Sequence, residues 1–154
     1  MFDNTFPFEQ FQRLGLNTEW EEQYVSVSKT GVLRGPHFQA PPCDLQKIVL
    51  YLDGSKVHVI VDLRKSSETD GQHGYFELNA FDGFYVPKGF AHGFCVPTAL
   101  SATMLHSTTN VYNSDLDTGL RWNDFAIYWP VRDPTVSHRN KHFCKFSEFV
   151  SPFI

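Results

Sequence analysis

Two apolar runs, 45–52 and 57–64, meet at Asp53-Gly54, and that junction decides the class of fold. An Asp-Gly pair between such runs is a strong short-range hairpin signal, because glycine supplies the positive φ the turn needs. Residues 74–78, 84–86, 100–109 and 126–129 read as further short strands, set apart by Gly, Pro and Asp turns. Many short strands at intervals of about 8–12 residues indicate a sandwich or barrel. One helical segment precedes them: Pro7 opens it, Leu14 ends it, and Gly15 stands just past its end. A chain of 154 residues, 42% hydrophobic and 19% charged, is long enough for one core. With no internal repeat or linker in it, a single all-β domain over 1–154 is expected.

Several function classes fall away on composition. With 13 basic and 17 acidic side chains the net charge is -4, whereas a duplex nucleic-acid binder needs a basic footprint. A few local Arg and Lys could still hold a small phosphate. No stretch approaches the ~20 consecutive apolar residues of a membrane helix, and the start carries no signal-peptide pattern. Cys43, Cys95 and Cys144 are odd in number and lack CxxC spacing, so they read as reduced thiols of a cytoplasmic protein.

Strand parity gathers polar residues onto one side. Lys47, Val49 and Tyr51 alternate with Ile48, Leu50 and Leu52, while His58, Ile60, Asp62 and Arg64 oppose Val57, Val59 and Val61. His106 shares a face with Ala102 and Met104. Facing a barrel interior these would make a polar pocket; on half-exposed strands they would be solvated faces. Gly35-Pro36 interrupts the strand through Arg34 and His37, so alternation leaves their directions open. His92, amid Phe90, Ala91, Gly93 and Phe94, reads on its own as a core imidazole bonded to backbone. His37 and His92 are also the candidate anchors for a metal. Two imidazoles with Gln39 and distant Asp44 are a poor set for a divalent ion, so no cofactor is expected.

Six ordered segments together carry a resemblance. They are Gly31-Val-Leu-Arg-Gly-Pro-His-Phe-Gln39, Gln46-Lys47, Val61-Asp-Leu-Arg64, Pro87-Lys-Gly-Phe-Ala-His-Gly-Phe94, Thr108-Thr109 with Tyr112, and Gly119-Leu-Arg-Trp-Asn-Asp124 followed by Trp129-Pro130. Over about residues 2–140 the chain resembles the dTDP-4-dehydrorhamnose 3,5-epimerase family. The resemblance implies a cupin-type jelly roll, a homodimer exchanging an N-terminal strand, and no metal or redox cofactor. The implied substrate is a nucleoside-diphosphate 4-keto-6-deoxy sugar, epimerised at C3, C5 or both in deoxysugar biosynthesis. It further implies His37 as the base, Lys47 as the enolate stabiliser and Arg34 as a diphosphate contact. Ser26, His92 and Tyr112 would line the sugar pocket.

The departures from the family pattern are specific. Its acid Tyr falls on His106, its base-orienting Asp on Asn140, a further active-site Asp on His58, and an Asn on Tyr24. Tyr51, Tyr24 and His106 are the candidates to replace the acid. The family's Arg-Gly-Phe run is missing and Asn4 stands for its Glu, which leaves the nucleobase and the strand exchange open. The expectation is a weaker or more restricted catalyst, with C3 alone standing beside both carbons. The alternative is a non-catalytic cupin that binds a nucleotide sugar.

Overall fold

The computed structural model describes residues 8–98, 100–124 and 126–154. After helix α1 (Phe8–Arg13) come strands β1 (Glu22–Lys29), β2 (Val32–Gln39), β3 (Lys47–Asp53), β4 (Lys56–Asp62) and β5 (His73–Leu78). β6 (Gly83–Val86), β7 (Phe90–Cys95), β8 (Ser101–Thr108), β9 (Asp117–Gly119), β10 (Thr135–Val136) and the single turn α2 (His138–Lys141) follow. Four strands in the order β1-β8-β3-β6 form one sheet; β10-β2-β7-β4-β5, with β9 paired to β2, form the other. Apart from the short β2–β10 pair, the pairings are antiparallel. The two sheets face each other as the expected cupin-type β-sandwich.

The Asp53-Gly54 turn forms, but the expected hairpin does not: β3 pairs with β6 and β8 while β4 pairs with β5 and β7, so the turn carries the chain from one sheet to the other. Gly54 sits at φ +81, and a Cβ there would come within 2.4 Å of the Ser101 carbonyl oxygen. The six-stranded sheet is covered on both faces. Val57, Val59 and Val61 pack away from the other sheet, against Leu120, Trp129, Val136 and Phe153 of the C-terminal segment. Burying each of these valines removes roughly 1.5–3 kcal/mol of unfavourable hydration. Their alternate neighbours His58 and Ile60 therefore face inward, where Ile60 packs against the core cluster that includes Val49, Tyr51, Phe94 and Met104.

One expected strand is absent. Residues 126–129 run irregularly, because Ile127 and Trp129 plug the valine face instead of alternating along a ladder, and Trp129 Nε1 donates to the Trp122 carbonyl at 2.9 Å. The expected helix is present over 8–13, and Gly15 beyond it takes φ +67; Pro7 and Asn4 lie outside the described residues. In the Val61-Asp-Leu-Arg64 segment, Asp62 accepts from Arg64, Ser67 and Thr69 at 2.6–2.9 Å, which latches the loop before β5. These donors hold its carboxyl well below the usual range despite burial.

Candidate active site

A bulge in β2 assembles the site. Directly opposed residues of an antiparallel pair project to one side, and here Arg34 opposes Phe94 while His37 opposes His92. Phe94 and His92 are two apart and share the inner face, so one extra residue in β2 turns both Arg34 and His37 inward. Gly35 absorbs the bend at φ +88, where a Cβ would meet the His92 carbonyl oxygen at 2.6 Å. Between the sheets lies a cavity of about 130 Å³, walled by Tyr24, His37, Lys47, His92, Tyr112 and Asp117 among others.

His37 Nε2 lies 2.8 Å from Asn140 Oδ1. An amide oxygen only accepts, so Nε2 carries the hydrogen and Nδ1 keeps its lone pair. Asn140 is buried and is itself placed by an N-cap, its backbone N–H donating to Ser137 Oγ at 3.3 Å. The edge of Phe143 closes on the imidazole at 5.4 Å. Burial lowers the His37 pKa below its ordinary 6.5, against smaller upward pulls from Asn140 and Asp117. The ring is thus a neutral acceptor of protons.

Opposite it, Lys47 Nζ lies 3.3 Å from His92 Nε2, and His92 Nδ1 lies 2.9 Å from His58 Nε2. His58 Nδ1 in turn meets the Tyr51 hydroxyl. An ammonium has hydrogens and no lone pair, so it fixes every proton in this chain. Lys47 donates to His92, His92 Nδ1–H to His58, and His58 Nδ1–H to Tyr51. Burial pulls Lys47 down to about 8 and His58 to about 3, and it lowers His92 as well. Both nitrogens of His92 are engaged and an ammonium stands beside it, so this imidazole does not suit a divalent cation.

Not every expected residue reaches the cavity. Tyr51 and His58 are fully buried behind His92, so neither is placed to touch a ligand there. His106 is also behind the wall, its Nε2 2.8 Å from Ser26 Oγ, and burial pushes its pKa to about 3, too low for an imidazolium acid at neutral pH. Tyr24 covers it, ring stacked on ring at 4.5 Å and 9°. Arg34 points toward the other sheet but outside the cavity, its Nε donating to Ser28 Oγ of β1 at 3.2 Å rather than lining the cavity with His37. Tyr112 lines the wall, its hydroxyl 3.5 Å from Arg139.

Two acidic residues escape sequence reasoning. Asp117 lines the cavity, paired to Arg139 at 2.6 Å, and Glu22 lines it while accepting from the Tyr112 backbone N–H at 3.1 Å. Asp117 reaches the site through the Gln39–Asp117 register of β2 and β9, a pairing no local spacing announces.

Residues 1–148 match the family model described as dTDP-4-dehydrorhamnose 3,5-epimerase. A curated protein of that description from Shigella flexneri is 36% identical over 139 residues, which are 88% of this chain and 76% of that one. The crystal structure of the Bacillus anthracis dTDP-4-dehydrorhamnose 3,5-epimerase, with TDP and PPi bound, superposes with a TM-score of 0.90 at 34% identity, covering 94% of this chain and 85% of its own. The Legionella pneumophila dTDP-6-deoxy-D-glucose-3,5-epimerase, in complex with dTDP-4-keto-L-rhamnose, gives 0.91 at 28% identity, covering 99% and 85%.

Proposed function

We propose that this chain, which belongs to the dTDP-4-dehydrorhamnose 3,5-epimerase family of isomerases, epimerises a nucleoside-diphosphate 4-keto-6-deoxy sugar with His37 as the base. The observation that carries the reading is the His37–Asn140 dyad set in the same cavity as Lys47. A C–H beside a ketone loses its proton only if the enolate is stabilised as it forms. His37 Nδ1 takes the proton, the C–H electrons move into the ring, and the negative charge gathers on the ketone oxygen. Lys47, held by His92 and with N–H groups to spare, hydrogen-bonds that oxygen. Inversion follows when a proton returns to the carbon from the other face.

Base and electrophile come from opposite sheets, His37 from β2 and Lys47 from β3, so a flat sugar ring fits between them. Asn140 keeps the imidazole in register but, being uncharged, stabilises the imidazolium less than a carboxylate would. The carboxylate of Asp117 supplies part of that support. This agrees with a slower or more restricted enzyme, acting at C3, C5 or both. The chain works as a homodimer in this reading, since Val25 and Val27 leave an apolar stripe on the outer face of β1, each 58% exposed.

The test is incubation with dTDP-4-keto-6-deoxyglucose in D2O, followed by reduction and NMR. Deuterium at C3 or C5 of an inverted product is expected, and the position names the carbon. Tight binding with no deuterium uptake overturns the enzyme reading in favour of a binding module.

A further inference from the structure

We propose that Tyr24 delivers the inverting proton, the acid phenol having moved from β8 to the adjoining strand β1. The inference rests on the epimerase reading above and adds the residue that reading lacks. The position where the family carries its acid Tyr is His106, and Tyr24 is the directly opposed residue of His106 in the β1–β8 register. Opposed residues project to one side, so a phenol lost from one strand is regained on its neighbour, one strand spacing of about 4.8 Å away.

The geometry also sorts the alternatives. Tyr51 is fully buried and its hydroxyl is taken by His58. Tyr112 lines the cavity, but its hydroxyl faces the Arg139 guanidinium. Tyr24, a residue 40% exposed, lines the cavity, and among the described residues no hydrogen bond engages its hydroxyl. His106 acts as its platform: Ser26 fixes the imidazole, and the phenol ring lies flat against it. His37 stands on the six-stranded sheet and Tyr24 on the four-stranded one, so the two reach a bound ring from opposite faces. Burial and the neighbouring Glu22 raise the phenol to about 12, which keeps the proton on it until the carbon is a strong base.

The step balances within the reaction. His37 takes one proton from carbon and becomes imidazolium, and the enolate carbon takes the Tyr24 proton to leave a phenolate. The ketone C=O re-forms as the carbon is protonated. Water then removes the imidazolium proton and returns one to the exposed phenolate, restoring both groups.

Tyr24→Phe keeps the ring and its stack while deleting the proton, so folding is not at stake; dTDP binding within threefold of the parent confirms an intact cavity. The expected result is a net epimerisation rate ~10²–10⁴-fold lower. Deuterium uptake with retained configuration persists, since His37 can return a deuteron to the face it came from. Net inversion within twofold of the parent overturns the assignment of Tyr24 and leaves the epimerase reading intact. Failure of the parent protein to take up any deuterium overturns both.

Discussion

His37 and His58 are both imidazoles turned into the sandwich, and they do opposite work. His37 has one nitrogen engaged, by Asn140, and its ring lines the cavity. His58 has both nitrogens engaged, by His92 and Tyr51, and no exposure at all. A proton acceptor needs a free lone pair at a place a substrate can reach; an imidazole with two partners is a strut. Burial lowers both pKa values, so the charge state does not distinguish them. The difference lies in what each ring is bonded to and where it stands.

The contrast breaks most directly at His37. His37→Gln keeps an amide near Asn140 but removes the base, and turnover should drop ~10²–10⁴-fold with nucleotide binding unchanged. Asn140→Ala, which frees the ring to rotate, should cost ~10-fold or more in kcat through lost orientation. Asn140→Asp sharpens the point through pH. A carboxylate on Nε2–H raises the His37 pKa, so the acid limb, where activity is lost as pH falls through that pKa, moves upward. The alkaline limb, set by Lys47 losing its proton at about 8, should move much less.

On the other side of the comparison, His58→Phe should leave kcat within ~10-fold of the parent. It should cost ~2–3 kcal/mol of stability, measured by urea unfolding, because the Tyr51 hydroxyl and His92 Nδ1 lose partners in a dry interior. The smallest effect concerns Lys56, whose buried Nζ has no hydrogen-bond partner and lies over the Tyr51 and Phe94 rings at 4.9 and 5.1 Å. Burial pulls its pKa to about 7, so the unfolded chain binds the extra proton between there and the ordinary 10.5. Parent stability should therefore rise with pH across that window. Lys56→Met should remove the slope and raise stability at pH 7 by ~1–3 kcal/mol with kcat unchanged.

Much of this was legible in the sequence, and the exceptions have physical causes. Strand parity grouped Lys47, Val49 and Tyr51 on one face of β3 and set His58 opposite the valines of β4, and the two packed sheets make those faces the inner ones. Parity says nothing of depth, however, and depth is what separates Lys47 on the cavity wall from Tyr51 behind it. The directions of Arg34 and His37 depended on a bulge that only the β2–β7 register reveals. In β1 the usual polarity is inverted, with Val25 and Val27 outward and Tyr24, Ser26 and Ser28 on the other face, so alternation alone hides the site it carries. The His37–Asn140 bond joins residues 103 apart, and nothing local announces it; the family pattern supplied that pairing.

Deuterium uptake from D2O into a 4-keto-6-deoxy sugar nucleotide, compared between the parent protein and His37→Gln at equal nucleotide occupancy, goes straight to the base. Uptake beside the ketone in the parent and its near-complete loss in the variant are expected. Equal uptake in the two proteins would place proton abstraction on some other group and contradict the mechanism built on this imidazole.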